Sequence, residues 1–163
     1  MGAATARRPA AHVGARSGVA LLPAAAAALS LSSAIAHLGV TEAHFQEWWA
    51  YGAFFLSCAA AQALFAALIL WRPRDWPAVL GIVGNLAVIA MYVYSRTNGP
   101  PLGPHEGVPE DPGLYDLVTT AGELALVVVL LRMLGERAGR WTMRLVLLFA
   151  VMLWAAKATG FLA

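Results

Sequence analysis

Charge is scarce in this chain. Only 12% of its 163 residues are Asp, Glu, Lys or Arg, too few to clothe a soluble core of that size. Cysteine is nearly absent as well: Cys58 stands alone inside an apolar run, so no intrachain disulfide forms and the residue says nothing about redox compartment. The apolar segments do not alternate with polar residues, which removes barrel strands, and no internal repeat recurs. Several enzyme signatures are missing too. There is no Gly-rich phosphate loop opening a helix after a strand, no G-x-S-x-G elbow, no H-E-x-x-H and no paired C-x-x-C.

What remains is apolar. Hydrophobic residues make up 60% of the chain and the mean hydropathy is +0.68. A bilayer core of about 30 Å needs about 20 apolar residues per helix. Five segments meet or nearly meet that length, at 19–38, 48–71, 78–94, 114–134 and 145–162. The third is the shortest; Trp76, Tyr92 and Tyr94 flank it as interfacial aromatics, and Pro77 opens it at a tolerated first-turn position. The expected fold is therefore all-α, a polytopic membrane helix bundle with five transmembrane helices following a basic tail at 1–18.

Arginine position sets the expected orientation. Arg7, Arg8 and Arg16 precede the first span, Arg72 and Arg74 follow the second, and Arg132, Arg137, Arg140 and Arg144 flank the turn before the last. With five spans all of these fall on one side, opposite Glu42, Glu47, Glu106, Glu110, Asp111 and Asp116. Short cytoplasmic loops retain Lys and Arg. The expectation is a multi-pass protein of the cell membrane, with a cytoplasmic amino terminus and an extracytoplasmic carboxyl terminus. Its basic residues sit beside apolar runs rather than among aromatics, which predicts the lipid bilayer as partner and no nucleic acid, despite a net charge of +2. Ala34 and Ala36 also resemble an A-x-A cleavage site that would leave His37 as the first residue. The preceding apolar run of roughly 18 residues exceeds a signal core of about 7 to 15, so an uncleaved first helix is expected.

One polar insertion interrupts this pattern. "SRTNGPPLGPHEGVPEDPG", from Ser95 to Gly113, carries prolines at 100, 101, 104, 109 and 112 and glycines at 99, 103, 107 and 113. That composition restricts the backbone and permits tight bends, predicting a structured extracytoplasmic loop between helices 3 and 4, anchored through Leu102, Val108 and Leu114. Loops of this length without secondary structure are commonly functional. With "HFQEWWAYGAFFLSCAAAQ" upstream and Glu123 downstream, the stretch resembles a family of small, largely uncharacterised bacterial multi-pass membrane proteins with a Ser-Arg-Thr, Gly-Pro and Pro-Glu loop. The likeness covers about residues 35 to 135. It implies a multi-pass membrane protein with a distinctive outer loop, and assigns no catalytic residue.

Polar side chains within the apolar runs form stripes at helical spacing. Ser30, Ser33 and His37 share a face of the first helix; His44, Trp48, Tyr51, Phe55, Cys58 and Gln62 continue one on the second; Asn85, Tyr92 and Arg96 mark the third; Asp116, Thr119, Thr120 and Glu123 the fourth; Trp154 and Lys157 the fifth. Such stripes avoid lipid by facing one another. An ion pair between Glu123 and Lys157 is expected, and the Gln62 and Asn85 amides are expected to join helices. Trp48, Trp49, Trp71, Trp76 and Trp141 fit an interfacial belt.

The expected ligand pocket lies under the loop and is lined by His37, His44, Gln62, Asn85, Arg96, Asp116, Glu123 and Lys157. A transition metal, copper or zinc, is a second possibility there. His44 and Glu47 are three apart in an expected first turn of helix 2 with Thr41 as N-cap, His37 ends the preceding helix, and His105 with Glu106 or Glu110 adds a lid ligand. His37 and His44 are also conceivable haem ligands. Three functions suit these features: a membrane-embedded pocket for a small ligand or metal, an accessory or assembly subunit that meets a membrane protein partner or forms a homo-oligomer, and a small transporter or proton path. The oily runs "LALVVVLL", "LFAALIL" and "LVLLFAVML" count against the last.

Overall fold

The structure is a computed structural model that describes residues 13–158, with side chains from 21 onward apart from those at 149, 153, 154 and 156–158. Residues 1–12 and 159–163 lie outside the described residues, and with them most of the expected basic tail and the end of the expected fifth span.

Five helices follow one another: α1 Val13–Glu47, α2 Trp49–Trp71, α3 Asp75–Asn98, α4 Leu114–Met133 and α5 Glu136–Ala158. No strand occurs among the described residues. Four helices are long and apolar enough to cross a membrane: α1 from Leu21 to Glu47, then α2, α3 and α4. The chain is an all-helical membrane protein. The first turns of α5 carry Glu136, Arg137, Arg140 and Arg144, so this helix opens well before the apolar stretch expected to begin at 145. Hydropathy locates where a helix becomes oily, and that need not be where it starts.

The largest departure from the sequence reading is in α1. Its expected end at residue 38 is wrong; the helix runs on through Gly39 and Thr41 to Glu47. Thr41 is not an N-cap, because its Oγ1 donates to the His37 carbonyl one turn earlier, at 2.8 Å, inside a continuing helix. Gly39 makes room for α4 rather than for a turn: a Cβ there would lie 3.2 Å from Tyr115 Oη. The chain reverses only at Trp48, which is extended (φ −163, ψ 135). So short a link forces α1 and α2 together, and Gly52 meets Phe45 so closely that a Cβ would fall 2.1 Å from the ring. His44 and Glu47 therefore occupy the last turn of α1, not the first of α2, and His37 lies deep inside α1.

The helices pack as an antiparallel bundle in which α1 lies along α2 and α4, α3 packs on α4 with lighter contact to α2, and α5 rests on α4. Alanines let α1 approach closely, and Ala26 and Ala27 join Phe65, Ala66, Ile69, Ala78, Ile82, Leu126, Val127 and Leu130 in one apolar core. This core fills the end of the bundle where α2 meets α3 and α4 meets α5; there the Gly135 N–H donates to Asp75 Oδ1 at 3.3 Å. The loop occupies the opposite end.

Candidate functional site

Between the helices, below the loop, is a cavity of about 300 Å³. Its walls are mainly apolar and aromatic, with Phe54 and Phe55 from α2, Val88 and Met91 from α3, and Ala36 and Val40 from α1. Three polar assemblies shape it.

The first is the roof. Gly99 ends α3 with φ 83, a conformation that favours glycine, and a Cβ there would fall 2.2 Å from Val108 N. Ser95 O accepts both Gly99 N–H at 3.1 Å and Glu110 N–H at 3.3 Å, so one helix carbonyl ties the start of the loop to its end. Gly107 N–H closes a smaller turn onto Pro100 O at 3.1 Å. Tyr51 reaches up from α2 and donates to Leu102 O at 2.7 Å, while Gly103 (φ 98) packs directly on Trp48 and Tyr51. Pro100, Pro101 and Leu102 thereby roof the cavity.

The second is a latch at the rim. Arg96, in the last turn of α3, uses Nη1 on Glu110 of the loop and Nη2 on Asp116 of α4, the latter at 2.8 Å. Its guanidinium stands 5.0 Å from the centre of the Tyr92 ring. Asp116 also accepts the Gly113 N–H at 3.1 Å, capping the first turn of α4. One arginine thus joins α3, the loop and α4.

The third is the floor. Glu123 is 1% exposed near the middle of α4, roughly 10 Å along the helix from Asp116 at 1.5 Å per residue. Its Oε1 is 2.9 Å from His37 Nε2 and 3.3 Å from Gln62 Nε2. Gln62 Nε2 also lies 3.3 Å from Asn85 Oδ1, and Asn85 donates to Gly81 O at 2.7 Å. Ser30 Oγ contacts the Gln62 carbonyl oxygen at 2.7 Å and its Oε1 at 2.9 Å. Five side chains from four helices form one buried chain of hydrogen bonds. Burial without partners would cost several kcal/mol per polar group in lipid, so their mutual bonding lets them sit at this depth.

The structure brings His37, His44, Arg96, Asp116 and Glu123 to the cavity. Gln62 and Asn85 do not line it; they lie beneath, joined to Glu123. The side chain of Lys157 is outside the described residues, and with it the expected pair with Glu123. The partner that sequence reasoning missed is His37. With α1 ended at residue 38, His37 stood at the membrane edge, whereas the continuous helix carries it down to the carboxylate.

The expected metal ligands do not converge. His37 faces Glu123; His44 Nδ1 donates to Val40 O at 2.8 Å and its ring packs 4.1 Å from Phe55; His105 and Glu47 pair with each other at 3.7 Å near the surface. Among the described residues no group of three His, Cys, Asp or Glu side chains gathers to hold a metal ion. The extension of α1 explains the error, since it moves His44 and Glu47 onto the same helix as His37, about two and three turns further along.

Compared with protein-family models, curated proteins and solved structures, the chain matches none.

Proposed function

We propose that this protein is a receptor-like membrane binder that takes a small molecule into a pocket under the proline-rich loop, open to the extracytoplasmic side. The observation that carries the reading is the cavity itself: about 300 Å³, at the lower end of small-molecule sites, roofed by the loop and floored by the buried Glu123 and His37. A bundle whose polar stripes served only to pack helices would fill this space with side chains.

The orientation belongs to the same proposal. The loop end of the bundle gathers Glu42, Glu47, Glu106, Glu110, Asp111 and Asp116, while Arg72, Arg74, Arg132 and Arg137 gather at the other. The positive-inside rule then places the loop outside and the amino terminus in the cytoplasm, with α5 as a fifth span. Passage through the monomer is disfavoured by the apolar core that closes the arginine end.

The test is to purify the full chain in detergent without added ligand, denature it, and identify released small molecules by mass spectrometry. Thr120→Trp, which places a large ring in the cavity wall, serves as the reference. A compound retained by the native sequence and absent from Thr120→Trp supports the pocket. A stoichiometric protein partner, with no small molecule in either sample, overturns it in favour of an accessory subunit.

A further inference from the structure

The hydrogen-bonding inventory of the cavity is one-sided, and resting on the pocket reading above, we propose that its ligand is a protonated amine carried on a small apolar body. Most hydroxyl donors in the wall give their proton to a backbone carbonyl. Tyr51 Oη donates to Leu102 O at 2.7 Å, Tyr115 Oη to Ala36 O at 2.9 Å, Thr119 Oγ1 to Tyr115 O at 2.9 Å and Ser95 Oγ to Tyr92 O at 3.0 Å. A hydroxyl that donates inward still offers lone pairs. His44 behaves alike: because a carbonyl only accepts, Nδ1 must carry the hydrogen shared with Val40 O, which leaves Nε2 as a bare acceptor. The donors left over on Tyr92, Thr120 and the Trp48 indole are neutral, and the one charged donor without a partner among the described lining residues, Arg96 Nε–H, is buried.

Charge points the same way. The lining holds three carboxyl groups, Glu110, Asp116 and Glu123, against a single guanidinium and the His37 imidazole, whose Nε2 is already on Glu123 Oε1 at 2.9 Å. Both terminal nitrogens of Arg96 are already engaged by Glu110 and Asp116, and its Nε is buried where solvent does not reach. An anion entering the cavity would meet carboxyl groups and no free cation among the described lining residues. A cation would meet a negative balance in a site of low dielectric, where each charge acts more strongly than in water.

The remaining wall suits an ammonium group and its carbon body together. Trp48, Tyr51, Phe54, Phe55 and Tyr92 all line the cavity, and aromatic faces attract cations through their quadrupole. A quaternary ammonium would use those faces alone, whereas a protonated primary amine also donates to the acceptors just described. Glu123, at the floor, is the anchor assigned to it.

The experiment uses the full chain in lipid nanodiscs, with empty nanodiscs as blank, and isothermal titration with 4-phenylbutylamine, 4-phenylbutan-1-ol and 4-phenylbutyrate at neutral pH. These probes share one body and differ in the terminal group. The amine is expected to bind at least about tenfold tighter than the alcohol, with the carboxylate weakest. Glu123→Gln should cost the amine about tenfold and leave the alcohol within about twofold, so that alcohol binding reports an intact pocket. Lys157→Ala should leave amine affinity unchanged; a rise of about tenfold would assign the acceptors to the chain's own lysine and overturn the proposal. Equal saturable binding of amine and alcohol, or tightest binding of the carboxylate, also overturns it while leaving the pocket in place. Binding that never saturates, and is the same in Thr120→Trp, removes the pocket itself.

Discussion

The two ends of this bundle solve the same problem with different physics. At the arginine end, Ala26, Ile69, Ala78, Ile82, Leu126 and Leu130 are buried together in one apolar cluster, and none of them lines the cavity under the loop. At the loop end, the same four helices are splayed around a cavity, and polar side chains and a tied loop hold them in register. Lipid tails are as apolar as leucine, so burying an oily side chain between helices gains little from solvent exclusion; the first end depends on fit. The second depends on directed bonds. The layer of Gln62, Asn85 and Glu123 marks the boundary, where close packing stops and polar chemistry starts.

If fit alone holds the oily end, creating a void there should be the most damaging change. Leu130→Ala removes a fully buried side chain that also nears Gly81 across the α3–α4 contact. Because the transfer part of the usual loss is small in lipid, the expected cost is at the low end of the large-to-small range, about 2 kcal/mol. Reversible unfolding in mixed micelles measures it, and a cost below about 0.5 kcal/mol would break the contrast between the ends.

Gln62→Leu probes the boundary and should cost less. It removes the side-chain contacts to Ser30, Asn85 and Glu123 and leaves Ser30 its bond to the residue 62 carbonyl. Hydrogen bonds between membrane helices average about 0.6 kcal/mol, so a loss of about 1 to 2 kcal/mol is expected in the same assay. Asn85→Leu added to it should cost less than the two single changes summed, since each single variant strands the other partner. Strict additivity would mean that the layer is not a connected network.

Much of this contrast was legible in the residues. Helical class follows from apolar runs without alternation, and polar stripes at three- and four-residue spacing on four helices already imply that those faces meet. Arg96, Asp116 and Glu123 stand out because a charged group within an apolar run needs a partner. What the sequence concealed is helix continuity. Gly39 and Thr41 carry turn propensity, but Thr41 bonds back to His37 and Gly39 accommodates Tyr115, so tertiary packing overrides the local signal. That one misplaced boundary hid the His37 to Glu123 contact and created a metal set that does not assemble. The direction of the Tyr51 and Tyr115 hydroxyls was equally unreadable, because each finds a carbonyl on another segment far along the chain.

The smallest effect is expected at the roof, where water can substitute for what is lost. Tyr51→Phe deletes the hydroxyl that donates to Leu102 O and retains the ring that packs on Trp48. An ordinary neutral hydrogen bond is worth about 1 kcal/mol, and the partly exposed Leu102 carbonyl recovers some of that from solvent. Global unfolding should therefore shift by less than about 0.5 kcal/mol, while the loop alone loosens. Amide hydrogen exchange separates the two: protection of Glu106, Gly107, Val108 and Glu110, whose N–H groups bond within the roof, should fall several-fold, with α4 unchanged around Leu126. If exchange in α4 rose equally, the roof and the oily end would form one cooperative unit, and the division of labour between fit and directed bonds would not describe this molecule.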